Sequence, residues 1–219
     1  MKRITFILAL LAVVASPFLA PRPGAAFPDH RSVRSRYPQA DAVVLYDSLV
    51  VAADEAGRVA RRYHRAVMLL TDNAINRYGD PRILYHAETQ ELRIIKARVH
   101  MRDGTPVDTR PNGFNRTTPF AFDLAPDYAD WQETVVTHVG VEKGCVAELE
   151  YEIAGMETSP WFGGVEIFSS EDPVELRVLV VRPPAGEELK SFGMNGAPEA
   201  ERSGGAWTWA VRDIPGRTP

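Results

Sequence analysis

"VEKGCVAELEYEI", residues Val141 to Ile153, is the stretch whose reading decides the fold, and it holds the only cysteine among 219 residues. Cys145, Ala147, Leu149, Tyr151 and Ile153 fall at every second position, with Val146, Glu148, Glu150 and Glu152 between them. Side chains alternate across a strand, so this pattern reads as β with Cys145 on the apolar face. A free cysteine on such a face behaves as a small hydrophobe. A reactive thiolate instead needs a helix N-terminus or a cationic neighbour. Cys145 therefore reads as packing, and the glutamates opposite as a solvated face.

Working outward, other β signals accumulate. "DAVVLYDSLVVAA" and "RVARRYHRAVMLL" flank Asp54 to Gly57, a turn-forming connection, and read as a hairpin. "LRIIKARVHMR" alternates Ile95, Ala97, Val99 and Met101 against Lys96, Arg98 and His100, and runs into Asp103-Gly104 before "TPVDT". An Asp-Gly pair between strands is a strong hairpin cue. "ETVVTHVGV" and "CVAELEYEI" read as a third hairpin around "EKG", with further strands in "GGVEIFSS", "PVELRVLVVRPP" and "AWTWAV". One short helix is expected in "TDNAINRYGD", capped by Thr71 or Asp72 and stopped by Gly79. The fold class is all-β: an antiparallel β-sandwich with at most one short helix.

The first residues are set apart. Lys2 and Arg3 precede the apolar run Ile4 to Ala15, then Pro17, Pro21 and Pro23. A spanning helix needs about 20 apolar residues, so this run reads as a secretory signal peptide, cut between Ala26 and Phe27. The expected product is periplasmic or extracellular, without a membrane span after cleavage. Residues 27–36 read as a linker, 37–214 as the domain, and 215–219 as a linker with Pro215, Gly216 and Pro219. If the domain folds independently, Gly216 to Pro219 are expected to fray; the favoured alternative is an exposed apolar patch for docking against a catalytic core. Losing Lys2, Arg3 and Arg22 with the leader takes the net charge from −4 to −7. An acidic domain without a Lys/Arg block is a poor nucleic-acid binder. One cysteine forms no internal disulfide.

Chemical motifs are sparse. His64, His100 and His138 form neither H-x-H nor H-E-x-x-H, and no P-loop or G-x-S-x-G elbow occurs. No metal, cofactor or catalytic residue is assigned. The aromatic candidates for ligand contact are Trp161 and Phe162, and Trp207 and Trp209, which share a strand face. Exposed, such rings stack on a carbohydrate or peptide; alternating in a strand, they more often face a core. A third reading is a small envelope enzyme with an acid/histidine site assembled in space around 110–131.

"YPQADAVVLYDSLVVAADEAGRVARRYHRAVMLLTDNAINRYGD" resembles the opening of DUF3857, a domain of unknown function in secreted bacterial proteins. The likeness rests on Tyr37 to Ala42, Gly57, Arg62-Tyr63-His64 and Tyr78 to Asp80. "LRIIKARVHMRDGTPVD" and "PWFGGVEIFSSEDPVELRVLVVRPP" extend it to about Ile214. In that family the β-domain usually precedes a transglutaminase-like core bearing a Cys-His-Asp triad and carries no known catalytic residue itself. The resemblance implies an exported, non-catalytic binding or scaffolding module, partnered by a transglutaminase-like protein or a remnant of one. The sequence ends five residues past Ile214, without the triad domain, so the expected answer to whether the chain is an enzyme is no.

Overall fold

The computed structural model describes residues 27–122, 124–128 and 130–217; the expected signal peptide lies outside the described residues. Eleven strands and two short helices are seen among them. Eight strands form one sheet. In spatial order they are β10 (Glu201–Ser203), β11 (Ala206–Ile214), β9 (Val174–Arg182), β1 (Ala42–Ala53), β2 (Val59–Leu69), β8 (Val146–Gly155), β4 (Gln90–His100) and β5 (Pro106–Asp108). The other three, β3 (Arg82–His86), β7 (Trp131–Val136) and β6 (Phe114–Thr117), form a smaller sheet. The class is all-β with two sheets. One pair departs from the antiparallel expectation: β1 and β9 run parallel.

The hairpins follow their turn chemistry. Between β1 and β2, Asp54 Oδ1 accepts the amides of Ala56 and Arg58, both at 2.9 Å, and Gly57 takes the left-handed φ of +74°. An L side chain resists that conformation and glycine does not. Asp103-Gly104 joins β4 to β5, with the Thr105 amide donating to Asp103 Oδ1 at 2.8 Å. The third expected hairpin does not form. β7 pairs with β3 and β6, while β8 lies between β2 and β4, so the intervening turn carries the chain from one sheet to the other. "GGVEIFSS" is not a strand but an irregular strap. In β4 a register shift between Ile94 and Lys96 turns Ile94 towards the core and Ile95 outward, breaking the simple alternation.

Two helices cover the large sheet from opposite sides. α2 (Asp72–Tyr78) is capped by Thr71 as expected. α1 (His30–Arg36) occupies the stretch expected to be a linker. Asp29 caps it by accepting the amides of Arg31 and Ser32, and the Arg34 guanidinium ties it down by donating to the carbonyls of Pro38, Ala40 and Leu70. Its Val33 is fully buried against Val43, Leu45, Met68 and Val146. On the opposite face Cys145 packs with Val67, Leu69, Ala74 and Val99 under α2. Further along that face Ile83, Val136 and Phe114 of the small sheet close over Ala97, Leu149 and Tyr151.

Candidate functional site

Each face of the large sheet carries a polar assembly that adjacency in sequence does not reveal. The first begins with register. Asp47 of β1 stands opposite Arg65 of β2 on one side and Arg177 of β9 on the other. Arg177 donates from Nη2 to Asp47 Oδ2 at 2.7 Å, and Arg65 from Nη2 to the same oxygen at 3.1 Å. Arg177 also reaches outward, its Nη1 donating to the carbonyl oxygens of Ile167 at 2.8 Å and Ser169 at 3.2 Å. A buried guanidinium with several donors in a fixed fork suits such a clamp. The strap is thereby fastened over β1 and β9, leaving a cleft of about 370 Å³ bounded by Asp47, Tyr63, Arg65, Glu166 and Arg177.

The strap's far end is held as well. Ser170 and Gly216 form a parallel bridge, the Arg217 amide donates to the Ser170 carbonyl at 3.0 Å, and the Arg217 side chain bonds the Ser169 hydroxyl. The expected fraying therefore does not begin at Gly216. A Cβ there would meet the Glu171 carbonyl at 2.7 Å, so the close approach requires glycine. With the Ile167 and Ser169 carbonyls bonded to Arg177, the strap presents apolar side chains to solvent: Val165 is 91% exposed, and Trp161 and Ile167 are each 65% exposed. A second apolar group, Phe120 and Leu124, is almost fully exposed within the 110–131 stretch.

The aromatic candidates separate. Trp161 projects into solvent and Phe162 is half-buried. Trp207 and Trp209 are buried and stacked, 6.0 Å between centroids, with the Arg202 guanidinium 3.5 Å above the Trp207 ring. The four do not make one platform.

The second assembly lies on the α1 side. Glu148 and Glu150, expected in solvent, are only 6% and 8% exposed. Glu148 Oε1 meets His64 Nε2 at 2.8 Å and Lys96 Nζ at 2.9 Å, while Oε2 meets His100 Nε2 at 2.8 Å. Burial alone raises a carboxyl pKa, but these three partners outweigh it and hold Glu148 far below the usual carboxylate range. Arg62 donates to Glu150 at 2.8 Å from Nε, and Arg93 to Glu152 at 3.0 Å. Phe27 and Tyr46 set rings edge-on against His100 and His64. Both Glu148 oxygens are occupied by side-chain partners. Among the described residues no group of histidines, cysteines and acids is arranged to hold a metal. The cluster is an ionic crosslink between β2, β8 and β4.

Cys145 is fully buried, and burial pushes its thiol pKa up, away from the thiolate a nucleophile needs. His138 is buried too, and desolvation lowers its pKa.

A crystal structure of a proposed protease from Parabacteroides distasonis ATCC 8503 superimposes with a TM-score of 0.68 at 25% identity, over 81% of this chain. The chain spans 36% of that protein's length. An M1 zinc metallopeptidase from Deinococcus radiodurans matches at a TM-score of 0.34 and 14% identity, over 80% of this chain and 39% of that one, too low to inform either fold or activity. A search of curated proteins returns no significant match. The family model described as "Domain of Unknown Function with solved-structure structure (DUF3857)" matches residues 55–218, and the chain belongs to that family.

Proposed function

We propose that this chain is an exported, non-catalytic docking module that binds a transglutaminase-like core through the strap. The observation that carries the reading is the strap's polarity. Arg177 and the Ser170–Gly216 bridge anchor its backbone at Ile167, Ser169 and Ser170, while Trp161, Val165 and Ile167 stand in solvent. Apolar side chains held outward by polar anchors gain nothing for the isolated domain, and a contiguous exposed apolar patch marks an interaction surface. The partner class follows from the family resemblance, and export from the leader-like run Ile4 to Ala15. The carbohydrate alternative retains one solvent-facing indole, Trp161. Sugar stacking uses broad aromatic faces, and one ring makes a small one.

Calorimetric titration of the chain with a separately expressed transglutaminase-like domain tests the proposal. Saturable binding is expected, with Val165→Asp and Ile167→Asp each weakening it about tenfold or more, since each sets a charge into an apolar contact. Binding that is absent, or indifferent to both substitutions, contradicts it.

A further inference from the structure

A second cavity, about 340 Å³, opens between α1, the β4–β5 turn and the turn that leads into β8. Its lining includes His30, Arg31, Arg34, Arg102 and Lys143, and no carboxylate. In a chain whose net charge is −4, the lining is cationic, although Asp29, Asp72 and Glu142 stand beside it.

The cations differ in how they are engaged. Arg34 is fixed by three backbone carbonyls, which orient its guanidinium without cancelling its charge. Lys143 pairs with Asp72 at 2.7 Å. Among the described residues the side chains of Arg31 and Arg102 have no hydrogen-bond or ion-pair partner; their backbone amides are engaged, Arg31 by Asp29 at 3.0 Å and Arg102 by Glu142 at 3.3 Å. His30 Nδ1 is buried without a hydrogen bond, Asp29 Oδ1 standing 3.4 Å away. Gly144, at a φ of +88°, is where the walls meet. A Cβ there would lie 3.1 Å from both the His30 ring and the Arg102 stem, so glycine lets the two close together.

We infer that this pocket is a phosphate-binding site, with Arg31, Arg102 and His30 as the recognising groups and Arg34 as a fixed background charge. Guanidinium forks match phosphate oxygens in pairs. Arg31 and Arg102, whose side chains are unpaired, together with Arg34 leave cationic charge that the neighbouring Asp29, Asp72 and Glu142 do not fully offset, which suits a doubly charged, multi-acceptor group better than a single carboxylate. The phosphate comes either from a soluble phosphate ester or from a phospholipid headgroup.

The full chain is titrated with inorganic pyrophosphate and, separately, sedimented with phosphatidylglycerol vesicles against phosphatidylcholine vesicles. Arg31→Gln and Arg102→Gln are each expected to weaken binding about tenfold, the loss of one charge-assisted contact, and together to abolish it. Arg212→Gln on β11 is expected to leave it unchanged, and thermal unfolding confirms that every variant is folded. Pyrophosphate binding that the arginine substitutions remove supports the site with a soluble ligand. Preference for phosphatidylglycerol that they remove, without pyrophosphate binding, supports it with a headgroup. Failure to bind either probe, or binding indifferent to both arginine substitutions, overturns it.

Discussion

Glu148 receives His64, Lys96 and His100 at 2.8–2.9 Å while nearly excluded from water. Removing its charge leaves three donors facing a neutral amide. Glu148→Gln is expected to destabilise the fold by about 2–3 kcal/mol, less than for a fully buried pair because Lys96 is about a third exposed. The pH dependence follows from the lowered pKa. A carboxylate that is more acidic folded than unfolded stabilises the native state fully above its ordinary value of 4.5. That contribution shrinks as pH falls below 4.5 towards the folded value, because the unfolded chain then takes up the proton first. Denaturant melts across pH 5 to 2 should show a steep loss for the natural chain and a shallower one for Glu148→Gln. Identical slopes contradict this role. At Cys145, full burial predicts slow labelling by a thiol reagent in the native state and fast labelling in denaturant, with Cys145→Ala costing about 1 kcal/mol. These two residues mark what one sequence shows at this scale. The face of Cys145 is written in the alternation of its own strand. The partners of Glu148 come from β2 and β4, 84 and 48 residues away. Period alone gives a solvated glutamate there, since spacing carries no record of which strands become neighbours.

Elements were legible where local chemistry is self-contained. The β1–β2 and β4–β5 hairpins follow from Asp54, Gly57 and Asp103-Gly104, and α2 from Thr71 and Gly79. α1 was not legible, although Asp29 is a good N-cap and Val33 a core residue. Seven residues with one buried apolar side chain make no helical stripe, and isolated helices this short are marginal in water. Arg34 and the sheet beneath hold it. Val33→Ala should therefore destabilise the whole domain by about 2 kcal/mol rather than fray its end, readable as a shift of a single cooperative unfolding transition. The parallel β1–β9 pair was equally hidden, as it joins strands more than a hundred residues apart. The middle of the strap is fastened by one side chain. Arg177→Ala removes the donors to Ile167 and Ser169 and leaves Asp47 to Arg65 alone. Limited proteolysis should then cut within 160–170 much faster than in the natural chain while the β-sheets stay folded. An unchanged cleavage rate contradicts the clamp.

For the molecule as a whole, two polar assemblies on opposite faces brace one large sheet. The Glu148 cluster is saturated by its own partners, and the Asp47 cluster secures a strap whose apolar side chains face away from the domain. The all-β class is readable from alternation and turn residues, and the family from the resemblance of the stretches 37–80, 92–108 and 160–184. The proposed docking surface is only half readable in the sequence. Trp161 stands among the sequence candidates, but Val165 and Ile167 fall in a stretch that reads as a strand. The most direct test of docking is amide hydrogen exchange on the chain, free and saturated with a transglutaminase-like domain. The account predicts slowed exchange over 161–169, with the Glu148 strands β2, β8 and β4 unchanged. Unaltered exchange across the strap in the complex, with protection elsewhere, would contradict it.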